Sequence, residues 1–145
     1  MDTSAIVALL CGWHERHAET MRGVEERIRR GYSLVVPAHA LVETYAVLTR
    51  LPAPHRLSGE VAFRLLRQNF RSSARVRALA AAEYWTVLAD AVDSGIAGGA
   101  TYDAVVATSA RKGGATCLLT LNLRHFASFQ RPGFEVLEPG LRRAT

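Results

Sequence analysis

The sequence predicts an α/β fold: three layers, α/β/α, around a central parallel sheet. Short apolar runs at 33–37 and 117–121 read as strands buried on both faces. Segments of helical period separate them, the alternation that a parallel sheet with crossover helices requires. With 145 residues, 49% of them hydrophobic, the chain can bury one core, and a single domain spanning 1–145 is expected.

Along the chain, Asp2-Thr3-Ser4 supplies capping residues for a helix over 4–11. A charged amphipathic stretch, 15–30, forms a second helix that Gly31 ends. Ser33-Leu34-Val35-Val36-Pro37 is a buried strand closed by proline. Leu41, Val42, Tyr45, Ala46 and Leu48 lie at helical spacing within 38–50, and Pro52-Ala53-Pro54 stops that helix. Ser58-Gly59-Glu60 opens a helix running to about Phe70. Arg75-Val76-Arg77-Ala78-Leu79 alternates as a half-exposed strand does. Residues 81–94 form a helix ended by Gly95, and Thr101 caps the next, which stops at Gly113-Gly114. A strand at 117–121, a short helical turn at 123–129 and a strand at 134–137 complete the pattern. If Asp2 ends a first strand, that strand has almost no residues, against the usual five or so. Either the native start lies upstream of Met1 or the strand is stunted.

Composition narrows the function classes. No apolar run is long enough to span a membrane. The N-terminus lacks the basic start and apolar core of a secretory signal, so a cytoplasmic address is expected. Cys11 and Cys117 sit in apolar runs without metal or redox spacing and read as free thiols. The formal charge of +5 favours an anionic partner, although arginine dominance and abundant alanine also fit GC-rich codon usage.

In open parallel sheets, sites lie beyond the carboxyl ends of the strands. Four positions fall there. Asp2 precedes a helix, where an aspartate is also an ordinary cap. Glu43 has His39, Ala40, Ala46 and Val47 one turn away, which is not a typical charged face; it pairs with His39 or an arginine, or it binds a cation. Asp103 opens an otherwise apolar helix, where the helix dipole alone would favour it. Asn122 follows the second strand and is equally a turn residue. His14 and His17 stand at i, i+3 with no evident third ligand, and read as a polar surface pair. No phosphate-cradling glycine loop of the Walker type is present.

Taken together and in order, Asp-Thr-Ser near the start, Val-Glu in the third helix, Tyr-Asp-Ala before an apolar helix and Leu-Thr-x-Asn-x-Arg-His-Phe near the end resemble the PIN domain. The toxin ribonucleases of VapBC-type toxin–antitoxin systems are the nearest resemblance, and it spans essentially the whole chain. It implies a PIN-like α/β/α fold and a magnesium- or manganese-dependent endoribonuclease that leaves 5′-phosphate and 3′-hydroxyl ends. Carried over by motif, Asp2, Glu43 and Asp103 are the catalytic acids. Asp2 and Asp103 would hold the metal most directly, with Glu43 ligating through water or orienting the attacking water. Ser4 and Thr120 match supporting hydroxyl positions, with Asn122 auxiliary.

The family often carries a further aspartate near the last motif. Asn122 and His125 stand nearest here, which supports one metal and leaves a second without its acid. Arg124 is the arginine closest to the site and a candidate RNA contact; Arg64, Arg67, Arg71, Arg75 and Arg77 read as a solvated face. The resemblance also implies an RNA substrate, a homodimer and a cognate antitoxin, whose helix a groove between the helices at 38–50 and 58–70 would accept. Two alternatives stay open: a PIN-fold nuclease of RNA processing, and a degenerate domain that binds RNA or protein without cutting.

Overall fold

The first helix forms where a carboxylate can satisfy its orphan amides. In the computed structural model, which describes residues 1–140, Asp2 Oδ1 accepts the backbone N–H of Ala5 at 2.9 Å and starts α1 (Thr3–Leu10). α2 (His17–Arg29) follows, and Gly31 at φ +87° turns the chain out of it. Gly23, inside α2, lets Pro139 approach so closely that a Cβ would lie 1.9 Å from the Pro139 carbonyl oxygen. The remaining elements are β1 (Leu34–Pro37), α3 (Ala38–Arg50), α4 (Gly59–Phe70), β2 (Ala74–Arg77), α5 (Ala81–Asp93), α6 (Ala100–Lys112), β3 (Cys117–Leu119), α7 (Leu123–Phe126) with a 3-10 turn at Ala127–Phe129, and β4 (Glu135–Leu137). The last five residues of the expected 1–145 domain lie outside those described.

All ladder pairing among the described strands is parallel. β1 pairs with β2, setting Val35 opposite Arg75; β3 pairs with β4, setting Leu118 opposite Val136. The expected continuous sheet is thus two parallel pairs, and the chain start ties them together. The Met1 amino group donates to the Val35 carbonyl at 3.0 Å, and the Asp2 N–H donates to the Leu119 carbonyl at 3.1 Å. Met1 and Asp2 therefore stand where a middle strand would run.

Helices cover the strands. α6 packs across β1, β2 and β3, with Ala104 through Ala107, Ser109 and Ala110 all enclosed. Ile6, Val36, Phe70, Val106 and Leu118 meet in the main core, and Val7, Leu48 and Ala62 form a satellite under α3 and α4. Cys11 is buried and Cys117 half-buried, both free. Thr101 does not cap α6: the helix begins at Ala100 with Gly99 in the cap position. No helix of the described residues is long and apolar enough to cross a membrane.

Candidate active site

A cleft of about 580 Å³ opens beside the carboxyl end of β3, and Asp2, Ser4, Glu43, Asp103, Asn122 and His125 all line it. Each acid arrives on a different element. Asp2 comes from the two-residue tie, Glu43 from the second turn of α3, and Asp103 from the first turn of α6. Three acids spread over a hundred positions of sequence thus face one space.

Asp2 is buried, 4% exposed, and its carboxylate is held from several sides. Thr120 Oγ1 donates to Oδ2 at 2.7 Å, and Ser4 Oγ lies 2.9 Å from both oxygens. The same hydroxyls accept from the loop after β3: Leu121 N–H donates to Ser4 Oγ and Asn122 N–H to Thr120 Oγ1, each at 2.9 Å. Each hydroxyl is thereby oriented to give its only proton to Asp2. The capping role and the cleft-lining role weighed in the sequence coincide in one residue.

Glu43 is exposed, and its Oε2 accepts from Thr3 Oγ1 at 2.6 Å. The pairing with His39 that sequence allowed does not occur; His39 stacks on Tyr102 instead, with ring centroids 5.4 Å apart. Asp103 is half-buried, with Oδ2 3.5 Å from His125 Nδ1.

The electrostatics fit acids in search of a cation. Burial pushes the Asp2 carboxyl above the usual aspartate range, against the pull of its hydrogen bonds from Ala5, Thr120 and Ser4. Burial also raises Asp103; the charges of Glu43 and Asp2 raise it further, while His125 opposes them. Among the described residues, no three His, Cys, Asp or Glu side chains are gathered closely enough to hold an ion as they stand. The donor chemistry nevertheless suits a hard divalent ion. Three carboxylates offer oxygen only, and separated donors leave room for the waters that magnesium retains.

The structure also brings in residues that sequence reasoning did not place here. His14, Glu15 and Arg16 line the cleft. Arg16 is fixed there by Glu19 at 2.6 Å and Glu138 at 2.7 Å, bonds that push its guanidinium pKa upward. No local pattern signals this, because Glu138 lies 122 positions away. His14 and His17 are half-buried rather than a surface pair, and each bonds to backbone: Arg16 N–H donates to His14 Nδ1, and His17 Nδ1 lies 2.9 Å from the Ala8 carbonyl. Arg124 is exposed on α7 and outside the cleft lining. The second basic run divides. Arg75 donates to the Gly113 carbonyl and Arg77 pairs with Glu83, while Arg67 and Arg71 border a separate apolar groove.

Residues 1–132 match the PIN domain family. Ribonuclease VapC40 of Mycobacterium tuberculosis is 42% identical over 135 residues, covering 93% of this chain and 94% of that protein. Ribonuclease VapC27 of the same organism is 34% identical over 137 residues, covering 94% and 93%. The crystal structure of Mycobacterium tuberculosis VapC20, described as a Sarcin-Ricin loop cleaving toxin, superposes with a TM-score of 0.67 over 88% of this chain and 92% of that one. At 20% identity that likeness shows the fold.

Proposed function

The chain belongs to the PIN-domain family, and on that premise we propose that it acts as one PIN domain, an endoribonuclease and the toxin of a VapBC-type toxin–antitoxin pair. The observation that carries the reading is the convergence of Asp2, Glu43 and Asp103 on one cleft, in a chain 42% identical to a named ribonuclease.

A divalent cation, magnesium or manganese, would supply, when bound, positive charge for the phosphodiester and a more acidic water. Asp2 and Asp103 would hold it, and Glu43, exposed and reaching in from α3, would ligate through water or orient the attacking water. Ser4 and Thr120 fix the Asp2 carboxylate so that it does not rotate away, and Asn122 braces Thr120 through its backbone N–H. Water attack on phosphorus leaves 5′-phosphate and 3′-hydroxyl ends. Arg124, exposed beside the cleft on α7, would contact the RNA backbone beyond it.

RNA cleavage with Mg²⁺ or Mn²⁺, comparing the chain with Asp103→Asn, tests the reading. Loss of cutting in the variant is expected; equal cutting by both proteins would overturn the assigned chemistry.

The partner is an antitoxin, and its docking surface is an apolar groove of about 490 Å³ between α3 and α4. Leu41, Val42, Tyr45, Phe63, Leu66 and Phe70 line it. Phe63 is 56% and Val42 70% exposed, which suits an amphipathic helix laid across them. Co-purification with the product of the neighbouring gene is the expected result. Self-association as a homodimer completes the proposal, supported by the exposed stripe of Trp85, Leu88 and Val92 on α5. A monodisperse, fully active monomer in sedimentation would count against both assemblies.

A further inference from the structure

The acid cleft poses a problem for a polyanionic substrate. Asp2, Glu15, Glu43 and Asp103 line it, and its one lining arginine, Arg16, is already engaged by Glu19 and Glu138. Side-chain ionic contacts inside the cleft therefore offer RNA little, and Arg124 beside it would meet only the backbone, so a hold on the bases has to come from another kind of contact.

One is in place. Trp13 immediately precedes the cleft-lining stretch His14–Arg16 and is 46% exposed. Its indole stacks on the His55 ring, with centroids 4.0 Å apart and planes 25° from parallel. His55 comes from the turn before α4, so two separate segments meet to hold the ring. A tryptophan has two side-chain torsions, and a stacked partner restricts them before any ligand arrives. The same construction recurs beside Asp103, where the 58% exposed Tyr102 lies on His39 with planes 10° apart.

We propose that Trp13, backed by His55, is a platform on which an unpaired nucleobase of the RNA strand stacks as the strand enters the cleft. Stacking on an aromatic face tolerates any base and is indifferent to the acids nearby. It selects single strands, because a base inside a duplex has no free face. The proposal rests on the ribonuclease reading and adds a base-binding site outside the acids.

The chain has two tryptophans, and Trp85→Phe, which keeps an aromatic ring on the α5 stripe, leaves Trp13 as the sole indole and is the background in which every other variant is compared. The probe is a labelled single-stranded oligoadenylate, with an RNA duplex as control, bound to the Asp103→Asn protein so that it stays intact. Binding read by the anisotropy of the label should quench Trp13 emission, and the duplex should not quench it. Trp13→Ala should weaken single-strand binding about tenfold, whereas Trp13→Phe, which keeps a stacking ring, should lose less than about threefold. Saturated binding with unchanged Trp13 emission, equal binding by Trp13→Ala, or no binding at all would each overturn the platform. The two readings separate cleanly. A chain with Asp103 intact that cuts RNA without any signal at Trp13 keeps the nuclease and loses the platform. Quenching and the Trp13→Ala defect in a chain that never cuts keeps the platform and loses the nuclease.

Discussion

α3 is a wall shared by two unlike surfaces. Glu43 and Val47 face the acid cleft, while Leu41, Val42 and Tyr45 face the apolar groove against α4. The cleft is built from oriented hydrogen bonds around carboxylates held above their ordinary pKa, so its worth depends on tenths of an ångström. The groove is built from exposed apolar area, which is non-directional and tolerant of small displacements. On the proposed reading one surface acts and the other is where the protein is silenced, and a single helix ties their positions together.

The largest expected effect is on the cleft. Asp103→Asn should lower RNA cleavage on the order of 10³-fold, as loss of a group that stabilises developing charge does. The same substitution should leave the metal-free protein no less stable, and more stable by up to about 1 kcal/mol in thermal melts, because it relieves like-charge crowding. If cleavage survives, the division of labour between the two surfaces collapses.

On the groove, Phe63→Asp should weaken capture of the antitoxin by about 30-fold or more in a binding titration, as truncation of an interface hot spot does. Cleavage by the free protein should be unchanged. Loss of cleavage in this variant would show that the two faces of α3 are not separable.

A smaller effect sharpens the account of the cleft. Thr120→Val leaves Asp2 Oδ2 without its closest donor and the Asn122 N–H without its acceptor, and should cost about 1–3 kcal/mol in denaturant unfolding. Among the described residues no comparable network lines the groove, so Val42→Ala, at a 70% exposed site, should change stability by less than about 0.5 kcal/mol.

The smallest effect is on pH. Asp2 and Asp103 have raised carboxyl pKa values in the folded state, so folding favours their protonated forms. Their contribution to stability is present below the ordinary aspartate pKa and is lost as pH rises through the folded values. Melting of the metal-free protein should therefore fall as pH climbs just above the ordinary aspartate range, before the buried Met1 amino group, lowered to about 6, acts in the opposite sense nearer neutral pH, and millimolar Mn²⁺ should raise it at neutral pH. An unchanged melting temperature with and without Mn²⁺ would remove the reason for placing a cation there.

Sequence alone determined the local elements and the motif order. Capping residues at Asp2, the apolar run ending in Pro37, and the Gly31 and Gly113 stops state their helices and strands through local propensity and period; Glu43 and Asp103 stood out against apolar helical neighbours, while Asp2 read as readily as a cap. The tertiary structure decided which elements are neighbours. Periodicity reports the buried face of a segment and is silent on what covers that face. Local pattern therefore could not place Glu138 on Arg16, pair Glu43 with Thr3 rather than His39, seat Trp13 on His55, or make Met1 and Asp2 the tie between two strand pairs. Those contacts join positions from 34 to 122 residues apart in pairs whose partners only the packed core selects, because burial free energy depends on total apolar area and not on which side chains share it.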